Sequence, residues 1–250
     1  MKDTLQGLKN TVLVIAAHPD DEVLGCGGTI ARHVQAGDEV HVVILAEGLT
    51  SRDVVRERAV RSSELSELAQ VAHRANSILG VTSLSLHDFP DNRMDGVELL
   101  DVVKVVEDHI RAKRPNIVYT HHAGDVNIDH RRIQEAVVAA TRPQPGQTVE
   151  TLLFFEVASS TEWQPPGSFP PFLPNWFVDI STTLTLKMQA LEAYACEMRE
   201  WPHARSCQSL EHLAHWRGGS VGCEAAEAFV LGRRIFTRPL KDDVFQEGIS

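Results

Sequence analysis

The chain has little of what marks several large classes of protein. Aromatic residues make up only 6% of its 250 residues, and no apolar run reaches the roughly 18 residues a membrane span requires. The opening MKDTLQGLKN has no apolar stretch of the kind a secretory leader carries. The four cysteines, Cys26, Cys196, Cys207 and Cys223, form no CxxC pair and no short disulfide framework, which fits core thiols in a reducing cytoplasm. Positive charge is also short. With 24 Lys and Arg against 34 Asp and Glu, the formal net charge is −10, which argues against nucleic acid or an anionic membrane as the main partner. A phosphorylated substrate stays open, because a local arginine cluster overrides a global acidic balance. There is no internal repeat and no low-complexity tract. What is there, 43% hydrophobic and 23% charged residues, is the composition of an ordinary globular protein with enough chain for a proper core.

Short apolar runs alternate with amphipathic stretches through the first two thirds. Thr11–Ala17, Glu39–Ala46, Ser83–Leu86, Ile117–Thr120 and Leu152–Phe155 read as strands. Between them Gly28–Ala36, Val54–Leu79, Leu99–Arg111 and Arg131–Ala140 read as helices, the second on Leu65, Leu68, Ala72, Ala75 and Leu79 at spacings of three and four. Such alternation predicts an α/β, Rossmann-like fold: a mostly parallel sheet with helices on both faces. Beyond Glu156 the pattern loosens into a loop, 163–175, holding five prolines, then a helix from about Thr183 to Glu200 and a strand near Phe229–Phe236. The expectation is one domain over 1–250, with its core in 8–160 and a C-terminal elaboration in 161–250. In such sheets ligands sit beyond the carboxyl ends of the strands, which draws attention to the residues after Ala17 and after Thr120.

Both places are rich in histidine and aspartate. In AAHPDDEVLGCGG, His18, Asp20, Asp21 and Glu22 follow a hydrophobic strand directly. Three carboxylates packed there are costly unless a cation or solvent compensates them. An imidazole and a carboxylate three positions apart on a turn can reach one metal ion from the same side, leaving the neighbouring carboxylate free. A catalytic zinc needs three such ligands and an open position for water. The glycines that follow match a dinucleotide fingerprint poorly, and Gly27 and Gly28 instead let the first helix pack closely. The second cluster, THHAGDVNIDHRR, holds His121, His122, Asp125, Asn127, Asp129 and His130. His130 can supply a third ligand, with Asp129 holding the histidine or a catalytic group in orientation. An ordinary polar loop competes for each histidine taken alone; two clusters at neighbouring strand ends favour a site.

HPDDE with a later GDxNxDH resembles the PIG-L/LmbE-like zinc-dependent de-N-acetylases over the first 140 residues. The resemblance implies that His18, Asp21 and His130 bind one Zn2+ per chain and that Asp20 is the general base. It also implies a homo-oligomer, trimer or hexamer, and a small-molecule substrate of the amino-sugar class. Known relatives act on glucosaminyl phosphatidylinositol, thiol precursors, chito-oligosaccharides and antibiotic sugars. The chain departs from the pattern in two ways. Some relatives carry a histidine, proposed as acid or oxyanion donor, where this chain has Asn127. The substrate-binding arginine of an RxxE helix start has only Arg52 and Arg56, in LTSRDVVRER, as its nearest counterparts. The missing acid is sought in EMREWPHARSCQS, where His203 resembles a late histidine of the chitobiose deacetylases and Arg205 can meet a substrate phosphate or hydroxyl. A surface turn is the competing reading, and His121 and His122 are alternatives for the acid. Asp91, Asn92 and Arg93 can bond sugar hydroxyls or form a plain turn; Glu156, Ser159 and Ser160 are expected to face the same mouth; Trp163 and Trp176 can stack on a sugar or anchor their loop.

The implied reaction is hydrolysis of an N-acetyl group to acetate and a free amine, on a sugar nucleotide, small glycoside or oligosaccharide. The alternative keeps the chemistry on a non-sugar N-acyl substrate such as a thiol conjugate. A nicotinamide-binding oxidoreductase and a non-catalytic metal-binding module are further readings. The acidic cluster opposes the first and the intact Asp20 the second.

Overall fold

In the computed structural model, which describes residues 9–236, alternating side chains of the central strand supply two separate cores. The reading of the opening segment MKDTLQGLKN falls mostly on residues outside that range.

In chain order the elements are β1 (Thr11–Ala16), α1 (Asp21–Gln35), β2 (Glu39–Ala46), α2 (Ser62–Leu79), β3 (Ser83–Phe89), α3 (Leu99–Lys113) and β4 (Ile117–His121). There follow α4 (Ile128–Ala140), β5 (Thr151–Phe155), β6 (Trp176–Asp179), α5 (Leu184–Ala193), α6 (Cys207–Gly219) and β7 (Ala226–Arg234). The strands form one sheet in the order β3-β2-β1-β4-β5-β7-β6. The first five are parallel neighbours, while β7 runs antiparallel to both β5 and β6. This is the Rossmann-like α/β sheet that the alternation predicts. Val12, Val14 and Ala16 of β1 enter the core shared with α1, α2 and α5, while Leu13, Ile15 and the following Ala17 enter the one under α3 and α4. Apolar side chains on both faces of a period-two element require a strand buried on both sides.

The order places a topological switch between β1 and β4: the chain leaves β1 towards β2 on one side and returns to β4 on the other. In sheets of this kind the crevice at the carboxyl ends of the two strands flanking such a switch is where ligands bind.

Several expected boundaries shift. Helix α1 begins at Asp21, not Gly28, so Asp21 and Glu22 lie in its first turn, where the helix dipole favours anions. Its glycines are close-approach positions: a Cβ on Gly28 would lie 2.7 Å from Ile180, and one on Gly25 would collide with the Phe155 ring. The helix kinks at Cys26, and the Gly28 and Thr29 N–H groups donate to the Glu227 carboxylate at 3.0 and 2.7 Å. Helix α2 begins at Ser62, not Val54. Ion pairs hold the preceding arginines, and Val54 and Val55 are 95% and 62% exposed. The late helix stops at Ala193, and β6 and α6 form where the sequence pattern predicts no element.

Lys187 of α5 donates to Glu227 of β7 at 2.6 Å and to the Leu24 carbonyl at 2.9 Å, with both charged side chains buried. Removing one partner of a buried pair leaves an uncompensated charge. Lys187→Met is therefore expected to lower unfolding stability by about 3–5 kcal/mol, read from the denaturant midpoint. An unchanged midpoint would refute this role for the pair.

Candidate functional site

The crevice gathers residues from both sequence clusters. His18 comes from the β1–α1 turn, Asp21 from the first turn of α1, and His130 from the first turn of α4, after β4. One ligand atom from each of these three lies within 4.8 Å of the others. His18 Nδ1 and His130 Nε2 both face Asp21 Oδ2, each at 3.2 Å. The other nitrogen of each ring faces a carboxylate that orients it. His18 Nε2 lies 3.0 Å from Asp129 and 3.3 Å from Asp91, and His130 Nδ1 lies 3.1 Å from Asp125.

These carboxylates are themselves held. Asp129 accepts the backbone N–H groups of Asn92 and Met94 at 2.6 and 3.0 Å. Asp125 accepts the Asn127 N–H and the hydroxyls of Ser160 and Thr161. Asp91 accepts from Ser51 N–H at 3.0 Å. His18, Asp91 and Asp129 form a second group with ligand atoms inside 4.8 Å, but the hydrogen bonds to Asp91 and Asp129 make them orienting partners of His18.

Charge follows this geometry. Burial lowers the His130 imidazole, but Asp21 and Asp125 outweigh it and push it up to about 9. Burial raises Asp21, yet His130 and His18 hold it well below the usual carboxylate range. The corner thus stabilises positive charge between the two imidazoles. Neither nitrogen of His130, which is 1% exposed, makes an aligned hydrogen bond despite the short separations. Two imidazoles and one carboxylate, with such an unsatisfied nitrogen, are a donor set that fits zinc.

Asp20 stands beside this group with a different set of contacts. It is 2% exposed, and its φ of 114° lies in the left-handed region, which costs a non-glycine residue about 1–3 kcal/mol. Burial pushes its carboxyl well above the usual range; Arg205 opposes that, and Asp21 and Glu22 add to it. Arg205 Nη1 donates to Asp20 Oδ2 at 3.0 Å and its Nε to Ser159 Oγ at 3.1 Å. The Arg205 backbone N–H donates to His203 Nδ1 at 3.0 Å, which leaves the proton of a neutral ring on Nε2. His203 also packs edge-on to Trp163, with centroids 5.6 Å apart.

The other residues singled out in the sequence have partners within the chain. Arg205, expected to meet the substrate, donates to Asp20 and Ser159. Arg52 is paired with Glu197, and Arg56 with Glu47 and the Asp88 carbonyl, so both arginines are already satisfied by groups of the chain itself. Arg93 donates to the Asp53 and Val54 carbonyls, and Asp91 turns to His18. Asn127 caps α4, accepting from Asp129 N–H at 2.9 Å. Glu156 is bound by Arg217, and Trp176 lies in β6. His121 is wholly buried and accepts the Ala17 N–H at 2.8 Å; burial and the His130 charge hold it well below its usual value, so it is neutral. His122 donates to the Pro170 carbonyl and anchors the proline-rich loop.

The fold and this cluster define a Rossmann-like α/β protein with a metal-competent histidine–aspartate site at its switch point. Residues 13–141 match the sequence model of the PIG-L family, described as GlcNAc-PI de-N-acetylase, and the chain belongs to that family. It is 29% identical over 189 residues to the uncharacterized deacetylase YaiS of Escherichia coli K12, covering 73% of this chain and 89% of the relative. It is 29% identical over 206 residues to a diacetylchitobiose deacetylase of Thermococcus kodakarensis, covering 76% and 70%. The solved structure of the hydratase GalB from Pseudomonas putida KT2440 superposes with a TM-score of 0.70 at 23% identity, covering 93% of this chain and 100% of that one. That likeness concerns the fold alone. Among the described residues no helix is long and apolar enough to cross a membrane.

Proposed function

We propose that the chain is a zinc-dependent hydrolase that removes the N-acetyl group from an N-acetylated amino sugar, such as a sugar nucleotide, small glycoside or oligosaccharide. The observation that carries this reading is a buried carboxylate outside the ligand set, Asp20, held by Arg205 next to the His18–Asp21–His130 corner. His18, Asp21 and His130 would hold the ion. When bound, zinc polarises the amide carbonyl and lowers the pKa of a water towards about 7.

The chain's own groups supply the proton transfers. Asp20 takes a proton from the water that attacks the acetyl carbon, and burial raises its carboxyl above the usual range, the direction that favours proton uptake. The C–N bond then breaks as the proton taken up by Asp20 passes to the leaving amine, with His203 Nε2–H as a hydrogen-bond donor to the reacting group. Acetate and the free amino sugar are the products. A screen of N-acetyl sugars, sugar nucleotides and oligosaccharides, read by acetate release from zinc-loaded protein, tests the reading. Acetate from none of them would overturn it.

Arg205 lowers the Asp20 pKa by its charge, so Arg205→Met should raise that pKa further. A base is active when ionised; raising its pKa means that activity is lost at a higher pH on acidification. The acidic limb of the kcat/KM profile is therefore expected to move to higher pH, with kcat reduced more than KM is raised. An unmoved limb with a raised KM alone would return Arg205 to a substrate-binding role.

A further inference from the structure

The last residue of the His18–Glu22 run has no part in the chemistry above. Glu22 is 0% exposed, and its carboxylate is held by neutral donors: Oε2 accepts the Asp20 backbone N–H at 3.1 Å, and Oε1 accepts the Tyr194 hydroxyl and Asn76 Nδ2, each at 2.8 Å. Burying a carboxylate without a cation at hand is costly, and an apolar residue of similar size would fill the space more cheaply. Its use lies in what it holds. The N–H it accepts belongs to the peptide entering Asp20, whose backbone is in the left-handed region. Fixing that peptide fixes the direction in which the Asp20 side chain leaves the main chain. The other carboxylate oxygen is tied to α2 through Asn76 and to the end of α5 through Tyr194, both outside the β1–α1 turn.

We infer that Glu22 is a positioning residue, a buried brace that holds the Asp20 backbone turn so that its carboxylate points at the reacting atoms, with Tyr194 and Asn76 fixing the brace. This rests on the proposed role of Asp20 as base. Arg205 holds the carboxylate at one end of the residue and Glu22 the amide at the other, so loss of either loosens the same group.

Glu22→Gln and Tyr194→Phe, each made in the wild-type and in the Asp20→Asn background, test the brace. Glu22→Gln puts an amide N–H where one of three donors now points. It is expected to lower kcat about tenfold to a hundredfold with KM and bound zinc unchanged. Tyr194→Phe is expected to give a smaller loss of the same kind. In the Asp20→Asn background neither should lower residual turnover further, because each acts through Asp20. A kcat cost that persists in full in that background, loss of zinc, or an unchanged kcat in both variants overturns the brace. Should Glu22→Gln fail to fold, Tyr194→Phe carries the cycle alone with the same outcomes. Full turnover in Asp20→Asn itself instead overturns the base assignment, which separates the two failures.

Discussion

His18→Ala is expected to lose bound zinc and turnover together, and His130→Ala to do the same. His18 sits in two groups that can hold a cation, one with Asp21 and His130 and the other with Asp91 and Asp129. The His18 substitution therefore tests whether the crevice holds the metal, and the His130 substitution decides which group does. His130 Nε2 faces Asp21 and has no aligned hydrogen bond, whereas Asp91 and Asp129 are occupied by backbone N–H groups. Loss of a partner that only orients a ligand already costs about 10–100-fold in metal affinity, and loss of a ligand should cost more. Elemental analysis of the purified proteins after dialysis reads the result. One zinc in wild type and little in either variant supports the assignment. Zinc retained in His130→Ala but lost in His18→Ala would move the ion to the second group, and zinc retained in both would remove it from the crevice.

Much of this site is legible in the sequence because it is local there. His18 and Asp21 are three residues apart on one turn, and the two clusters follow the two apolar strands that flank the switch point. The start of α1 is not legible, because glycines weaken a helix pattern. Here they persist within the helix because Phe155 and Ile180 occupy the space a Cβ would need. Helix α6 escapes a pattern reading because only Leu210, Ala214 and Gly218 of it are buried and Trp216 is 72% exposed, too few positions for a 3.6-residue signal. The four residues of β6 emerge from a proline-rich loop and gain their identity only from pairing with β7. The contacts around Asp20 are out of reach for a different reason. Arg205 lies 185 residues from Asp20, and Tyr194 lies 172 residues from Glu22. No spacing rule connects such positions, so a local reading assigns Arg205 to the substrate and leaves Glu22 without a task.

Asp20→Asn is expected to keep zinc and lose turnover by about 10²–10⁴-fold, the range typical for removal of a general base. The substitution isolates the chemistry better than alanine would. Asparagine is among the residues that tolerate a positive φ, so the turn at 114° is retained. Its backbone N–H still meets Glu22, and its carbonyl oxygen can still accept from Arg205. What is lost is the ability to take a proton. Because Asp20 lies outside the His18–Asp21–His130 group, the metal should be unaffected. Zinc content and single-substrate kinetics on the best substrate from the acetate screen decide the matter. Zinc lost together with activity would mean that Asp20 is a ligand and that its role and that of Asp21 are exchanged. Turnover within about tenfold of wild type, with zinc in place, falls short of what loss of a general base costs and would mean that the proton goes elsewhere. Arg205 would then be holding a carboxylate whose purpose is to shape the crevice, and the pH profile of Arg205→Met would show no shift of its acidic limb.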